Sequence, residues 1–466
     1  MRKLSLLITV FCFSMFAVNA QAQEKESVLI KNATVLTITN GDLEKTDILI
    51  EDGVIKEIGQ NLSARGVKTI NAEGKYVMPG IIDAHSHLAI TRGVNEWTNP
   101  VTAEVTMEDV LDPNDIGMYR ALAGGVTSIH VMHGSANVIG GQGETIKLRY
   151  GQDQEGLKFN DAPRTIKFAL GENPTRVHGQ GFDVQPRTRM GVEQIVRQTF
   201  DAALDYKRER DAYVSAQSKW EEDKEGKAPW PVAKNLRFEV INDIIEGEVL
   251  VHCHSYRADE IHMLMRVFND YGVKNYTFQH ANEAFKIAPE LAANGANTSI
   301  FSDWWAYKFE VYYSTAFNAA ILNKYGVTNS INSDSGELIR HLNHEAAKAV
   351  KYGGVSKNDA LKMITINPAI QLGVDDRVGS LEVGKQADIS IWSGHPLSIY
   401  SICETTLVDG VTYFDKDSDP DDMRLRINPE DNYEEVSTSG RHEDACMSDV
   451  FHFFGQEGKT AALNQR

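Results

Sequence analysis

The sequence predicts an α/β fold, a (β/α)8 TIM barrel with a small β-sandwich domain formed by its N- and C-terminal segments. Three observations predict it. Short strands with turn punctuation occupy the stretches on either side of residues 77–376. Between them, strands alternate with helical segments, the pattern of βα units on a parallel sheet. Within that middle region, apolar strands repeatedly end in a polar side chain able to bind a metal, and the C-terminal rim of a barrel is where such folds place their chemistry.

The chain opens with Arg2 and Lys3, an apolar run from Leu4 to Val18, and Ala20 and Ala22 in Ala-x-Ala spacing. This reads as a signal peptide over residues 1–22, which predicts a periplasmic or secreted protein. The run is shorter than the ~20 apolar residues that span a bilayer. Residues 23–76 form the first part of the β-domain, with strands at Ser27–Asn32, Asp47–Glu51 and Val54–Ile58 and a hairpin turn at Asp52-Gly53. Residues 377–416 supply the second part, through Gly379–Trp392 and Thr405–Phe414, the latter turned at Asp409-Gly410. Each part alone is too small to bury a core, so the two ends are expected to join.

The barrel is expected over residues 77–376. Its candidate strands are Gly80–Ile82, Thr127–Val131, Thr165–Ala169, Glu248–His252, Tyr276–Gln279 and Asn329–Asn332. A helix is expected from Ser356 to Leu372, with Ser356 as N-cap and Asp359 at capping-box distance. The charged run Tyr206–Lys227 reads as a solvated helical face or an inserted hairpin. Residues 417–466 read as an acidic, largely irregular tail, in which Val450–Phe454 could dock.

Composition narrows the function. Of the 466 residues, 42% are hydrophobic and 24% charged, as in ordinary globular proteins. A net charge of −18 argues against nucleic acid and anionic membrane surfaces as partners, and no segment after the leader is apolar for long enough to insert in a membrane. A small-molecule substrate is the expected partner, and a homo-oligomer is allowed. Beyond the leader stand Cys253, Cys403 and Cys446, too few and too widely spaced for a disulfide framework, so no essential disulfide is expected.

The chemistry concentrates in Pro79-Gly80-Ile81-Ile82-Asp83-Ala84-His85-Ser86-His87. Residues two apart on a strand project from the same side, so His85 and His87 face one place, and neutral imidazole is a good ligand for zinc and similar ions. Alone, His-x-His is common enough that ordinary packing is the safer reading. However, His252 closes a second strand with His254 two residues on, His280 closes a third, and Asp334 follows a fourth. Four such ends in one βα series make accidental burial a poor explanation, because unpartnered buried polar groups are costly. His130 and His133, near the second strand, fit ordinary packing better.

These motifs resemble the amidohydrolase superfamily, particularly its imidazolonepropionase-related branch. The likeness runs to about Tyr413. It includes Gly124-Gly125-Val126-Thr127, Thr365-Ile366-Asn367-Pro368-Ala369 and the return through Gly379-Ser380-Leu381-Glu382-Val383-Gly384-Lys385-Gln386-Ala387-Asp388. The resemblance implies His85 and His87 as ligands from strand one, His252 from strand five, His280 from strand six and Asp334 from strand eight. It also implies a carboxylated lysine on strand four bridging two metals. Lys167, in Thr165-Ile166-Lys167-Phe168-Ala169, matches that place by chain order; Lys147, ending a short apolar run, is its rival. His254 is left as a rival ligand or a substrate contact, and Arg340, with His341 beside it, as a second candidate near the substrate.

The activity implied is hydrolysis of an amide or cyclic amide C–N bond by a divalent cation, zinc by expectation, with one or two ions per chain. Asp334 would take the proton of the attacking water and return it to the leaving nitrogen. Aromatic residues between Phe301 and Phe317 (Trp304, Trp305, Tyr307, Phe309, Tyr312, Tyr313) could wall a pocket or simply pack a loop. The rivals are a mononuclear ring deaminase, a peptidase of the dipeptidase-like branch and a non-catalytic exported binding protein. Ring deaminases often carry an acid three residues beyond the strand-five histidine, and Ser255 stands there.

Overall fold

A computed structural model describes residues 27–91, 93–305, 308–418 and 423–425. The expected signal peptide, Tyr307, Cys446 and the stretch Val450–Phe454 lie outside the described residues. Strands from both ends of the chain build one sheet: β1 (Val28–Leu36), β2 (Asp42–Glu51), β3 (Val54–Gly59), β4 (Lys68–Asn71) and β5 (Tyr76–Pro79). The second sheet holds β6 (Ile81–Ser86), β7 (Val126–Val131), β8 (Ile139–Lys147), β9 (Arg164–Ala169), β10 (Val249–Ser255), β11 (Tyr276–His280), β12 (Asn297–Ile300) and β13 (Asn329–Ile331). The chain then returns to the first sheet through β14 (Ile389–Trp392), β15 (Cys403–Val408) and β16 (Val411–Asp415).

The terminal sheet runs β16-β15-β14-β5-β1-β2-β3. It forks at β1, whose first half pairs with β4 and whose second half pairs with β5. Two hairpins fix its register, at Asp52-Gly53 and Asp409-Gly410. All four turn residues have positive φ (54°, 82°, 49° and 76°), the two-residue geometry that Asp-Gly favours between twisted strands. The two ends share one apolar core in which Val28, Ile30, Ile48 and Ile50 meet Ile389, Ile391 and Leu407. Neither end could bury these residues alone.

The second sheet is the barrel, in chain order from β6 to β13. Its ends approach where the Asp334 amide donates to the His85 carbonyl at 3.2 Å. Most neighbours are parallel, as βα units require. One strand departs from that pattern: β8 is antiparallel to both β7 and β9, and residues 132–138 before it contain no helix. The C-terminal end of β8 therefore lies at the rim opposite the one reached by its neighbours. Ser356 does cap a helix, accepting from the Asp359 amide, but that helix stops at Lys362 and a second runs over Ile366–Leu372. Pro368 near the start of the second lacks an N–H to continue the first. The charged run belongs to a 35-residue helix, Arg189–Asp223, with a largely exposed second half. No helix among the described residues is long and apolar enough to cross a membrane.

Candidate metal centre at the barrel rim

Strand one delivers His85 and His87 to the C-terminal rim, and Asp334 arrives from the turn after β13. The Asp334 Oδ1 atom lies 3.4 Å from His85 Nε2 and 3.3 Å from His87 Nε2. Burial raises the carboxyl pKa of Asp334, but the side chains of His87, His280 and Lys167 beside it outweigh that and hold the group below its usual value. His87 is oriented by the Met132 carbonyl, 2.9 Å from its Nδ1; a carbonyl only accepts, so Nδ1 carries the proton and Nε2 presents a lone pair. Beneath them, the buried Asp83 accepts from the His85 and Ser333 amides and contacts the Ser333 hydroxyl, tying strand one to strand eight. Burial pushes its carboxyl up to about 7.

His280 reaches this group by breaking strand alternation. Gln279 and His280 are successive residues, yet Gln279 bonds the His85 ring while the His280 ring lies 4.5 Å from it, centroid to centroid. A left-handed φ of 64° at His280 makes this possible, and Asp334 is likewise left-handed at 45°. Such backbone costs about 1–3 kcal/mol at a non-glycine residue, and it concentrates at functional sites. His280 Nε2 is 3.7 Å from Asp334 Oδ2. Among the described residues, His85, His280 and Asp334 each offer a ligand atom within 4.8 Å of the others, a group able to hold a cation.

Strand five carries its two histidines at different depths. The His254 ring packs 4.7 Å from His280, and neither of its nitrogens has a hydrogen-bond partner. His252 sits lower, its ring 4.4 Å from that of His130 and its Nδ1 2.9 Å from Gln279 Nε2. His252 thus pairs with Thr277 and His254 with Gln279, which places the His254 ring beside that of His280. Burial lowers the pKa of both, that of His252 to about 3 and that of His254 well below the usual value, so both rings are neutral near pH 7. His130 hydrogen-bonds Thr165, and His133 accepts from the Glu96 amide, both as packed side chains.

The two lysines separate clearly. Lys167, fully buried on β9, has its Nζ 3.2 Å from His85 Nε2, beside the histidine group. Lys147 ends β8, and because β8 runs the other way its ammonium lies at the opposite rim. There it pairs with Asp388 at 3.0 Å and Asp409 at 2.6 Å, joining the barrel to the terminal sheet. An apolar run ending in lysine suggested a rim position, but strand direction overturns it. Arg340 is also placed elsewhere: its guanidinium pairs with Glu337, and its backbone packs where a side chain on Gly124 would stand, at the end of the helix Ile116–Ala123 that precedes β7.

Around the rim, Phe301 stacks on His280 at 4.5 Å and Trp304 on Phe301 at 4.4 Å, so the start of the aromatic segment does wall the group. Trp305, Phe309, Tyr312 and Tyr313 instead face solvent. Sequence reasoning missed a polar cluster farther out. The Lys308 ammonium sits 4.1 Å above the Tyr256 ring and pairs with Glu172 at 3.3 Å. Near it, burial pushes Glu310 up to about 7 and Glu260 up to about 8. Arg189 is 3.5 Å from Glu260. These groups come from the segments that follow β9, β10 and β12, Glu260 and Arg189 from the first turns of helices, and no spacing in the chain relates them.

A barrel joined to a forked terminal sheet, with a rim group able to hold a cation, is the class of architecture the structure defines. The Amidohydrolase family is matched over residues 163–419, more than half of the chain, so the chain belongs to that family. It is 34% identical to an amidohydrolase from Thermotoga maritima, whose crystal structure superposes with a TM-score of 0.75 over 83% of this chain and 100% of that one. Amidohydrolase tasK of Hapsidospora irregularis is 29% identical over 396 residues, 79% of this chain and 40% of its own length. A 5'-deoxyadenosine deaminase of Methanosarcina mazei is 36% identical over 120 residues, 23% of this chain and 28% of its own. The chain thus spans two fifths or less of the length of these two curated relatives.

Proposed function

We propose that this chain is an exported metal-dependent hydrolase that cleaves an amide or cyclic amide C–N bond at the rim group. One observation carries the reading: both nitrogens of His254, both of His280 and Oδ1 of Asp334 are buried without a hydrogen-bond partner. Each such orphan costs about 1–3 kcal/mol, and a cation would satisfy one nitrogen of each ring together with the carboxylate oxygen. The spacing supports zinc. Ligand bonds of ~2.0–2.1 Å separate neighbouring donor atoms by about 3 Å, close to the observed 3.3, 3.4 and 3.7 Å from Asp334 to His87, His85 and His280.

His85, His87, His254, His280 and Asp334 would hold the cation, with His254 in the place expected of His252. A bound divalent cation supplies Lewis acidity, bringing the pKa of water from 15.7 to about 7 and polarising a carbonyl oxygen. Asp334, ionised, accepts the proton of the attacking water and gives it to the departing nitrogen. Phe301 and Trp304 exclude bulk water on one side. Lys167 fits a bridging role: its neutral amine would add to carbon dioxide, forming an N–C bond and releasing a proton, and the carbamate oxygens could hold a second ion. The Arg2–Ala22 leader supports export. Against a ring deaminase, neither strand-five histidine is followed three residues later by an acid: Ser255 follows His252 and Arg257 follows His254.

The test is hydrolysis of N-acyl amino acids, dipeptides and lactams by zinc-loaded protein. Asp334→Asn, assayed at saturating zinc, should lower kcat about 10²–10⁴-fold. Metal-free protein that hydrolyses the same substrate as fast as the loaded form would overturn the reading.

A further inference from the structure

Two histidines of strand one present Nε2 to Asp334, but their Nδ1 atoms are held differently. His87 uses the Met132 backbone carbonyl, which no substitution can remove. His85 Nδ1 lies 3.1 Å from the side-chain oxygen of Gln279. An amide side chain could in principle turn over and offer its nitrogen instead. Here a second contact forbids that: Gln279 Nε2 lies 3.3 Å from the Ala84 carbonyl, which can only accept. The nitrogen must face Ala84, so the oxygen must face His85.

We infer that Gln279 is a positioning residue that selects the tautomers of both His85 and His252, keeping one imidazole available to a cation and withholding the other. The inference rests on the metal-centre reading above. Since Oε1 only accepts, His85 must carry its proton on Nδ1, which leaves the Nε2 lone pair toward Asp334. The remaining Gln279 N–H points at His252 Nδ1, 2.9 Å away, so that atom must be the unprotonated one. Neutral His252 then carries its proton on Nε2. With one nitrogen accepting from Gln279 and the other protonated, His252 has no lone pair left for a cation. A glutamine one residue before His280, buried and without charge, thereby decides which histidine of strand five can serve. Orienting partners of this kind typically contribute about 10–100-fold to metal affinity.

The experiment uses full-length protein stripped of metal, with ¹⁵N-labelled histidine, as wild type, Gln279→Leu and Gln279→Glu. Imidazole ¹⁵N shifts report each tautomer directly, and competition with a chromophoric chelator reports zinc affinity. In wild type, His85 should be protonated at Nδ1 and His252 at Nε2. In Gln279→Glu, the carboxylate still accepts from His85 but cannot donate to His252, so His252 should switch to the Nδ1 proton while His85 stays as it was. A merely structural role would not produce that switch. Gln279→Leu should lose the His85 preference and bind zinc about 10–100-fold more weakly. A wild-type His85 protonated at Nε2, or a leucine variant that binds zinc as tightly as wild type, would overturn the inference. Should the leucine variant fail to fold, the wild-type and glutamate tautomers decide it. Wild type that takes up no zinc would refute the metal centre instead, while its tautomers still test Gln279.

Discussion

Two fully buried lysines, Lys147 and Lys167, sit at opposite rims of the barrel, and replacing each by methionine should produce opposite phenotypes. Removing Lys147 strands Asp388 and Asp409, which it holds at 3.0 and 2.6 Å. Asp409 keeps Arg149 at 2.7 Å, whereas Oδ2 of Asp388 already lacks a partner. Deleting one member of a buried ion pair costs about 3–5 kcal/mol. Over a folded body of roughly 390 residues, at about 2.1 cal/mol/K each, this lowers Tm by about 4–6 °C. Burial already raises the Asp388 pKa, and without Lys147 it rises further. A raised folded pKa means stability is lost as pH increases, so the deficit should be larger at pH 8 than at pH 5. Zinc content and kcat should be unchanged. Lys167→Met should leave Tm of the metal-free protein within a few degrees of wild type, yet lower bound metal. Differential scanning calorimetry on chelated protein, with metal analysis of the loaded forms, reads both. A Lys147→Met protein of unaltered Tm, or one that loses its metal, would refute the placement of these lysines.

Other consequences follow from single residues. His254→Ala should weaken zinc binding more than His252→Ala, as measured by chelator competition; the reverse order would return the ligand role to His252. Glu260→Gln should stabilise the protein in alkaline solution. Burial lifts the Glu260 carboxyl from 4.5 to about 8, so the wild type loses stability as pH rises across that interval and the variant does not. The Tm difference should be absent below about pH 4.5, grow through the interval and level off above about 8. A difference independent of pH would mean that Glu260 keeps its charge at no cost.

Much of the fold was legible because short-range chemistry decided it. Asp52-Gly53 and Asp409-Gly410 announce hairpins through the backbone they require, and Ser356 caps its helix as Ser-x-x-Asp suggests. What escaped depends on tertiary context. Strand β8 is not among the expected strands, since Gly140, Gly141 and Gly143 depress its strand propensity, and its reversed direction leaves no mark on composition. That reversal alone moves Lys147 to the far rim. In the site, His85, His87, His280 and Asp334 were recognisable as polar ends of apolar strands. His252 and His254 project from the same side of β10, so alternation cannot rank their depth; the pairing of His254 with Gln279 across β10 and β11 does. Gln279 itself carried no signal, since an uncharged side chain in Tyr-Thr-Phe-Gln-His looks like strand filler. The cluster of Glu172, Glu260, Lys308 and Glu310 was equally silent, because three segments far apart in the chain bring it together.

Everything functional depends on one cation being gripped at the rim by side chains distant in sequence. The most direct measurement is anomalous diffraction at the zinc edge from crystals of the zinc-loaded chain. A peak enclosed by His85, His87, His280 and Asp334, with His254 at its side, is the expected result. A zinc-loaded, hydrolytically active protein with no peak there, or with its peak elsewhere, would contradict the assignment.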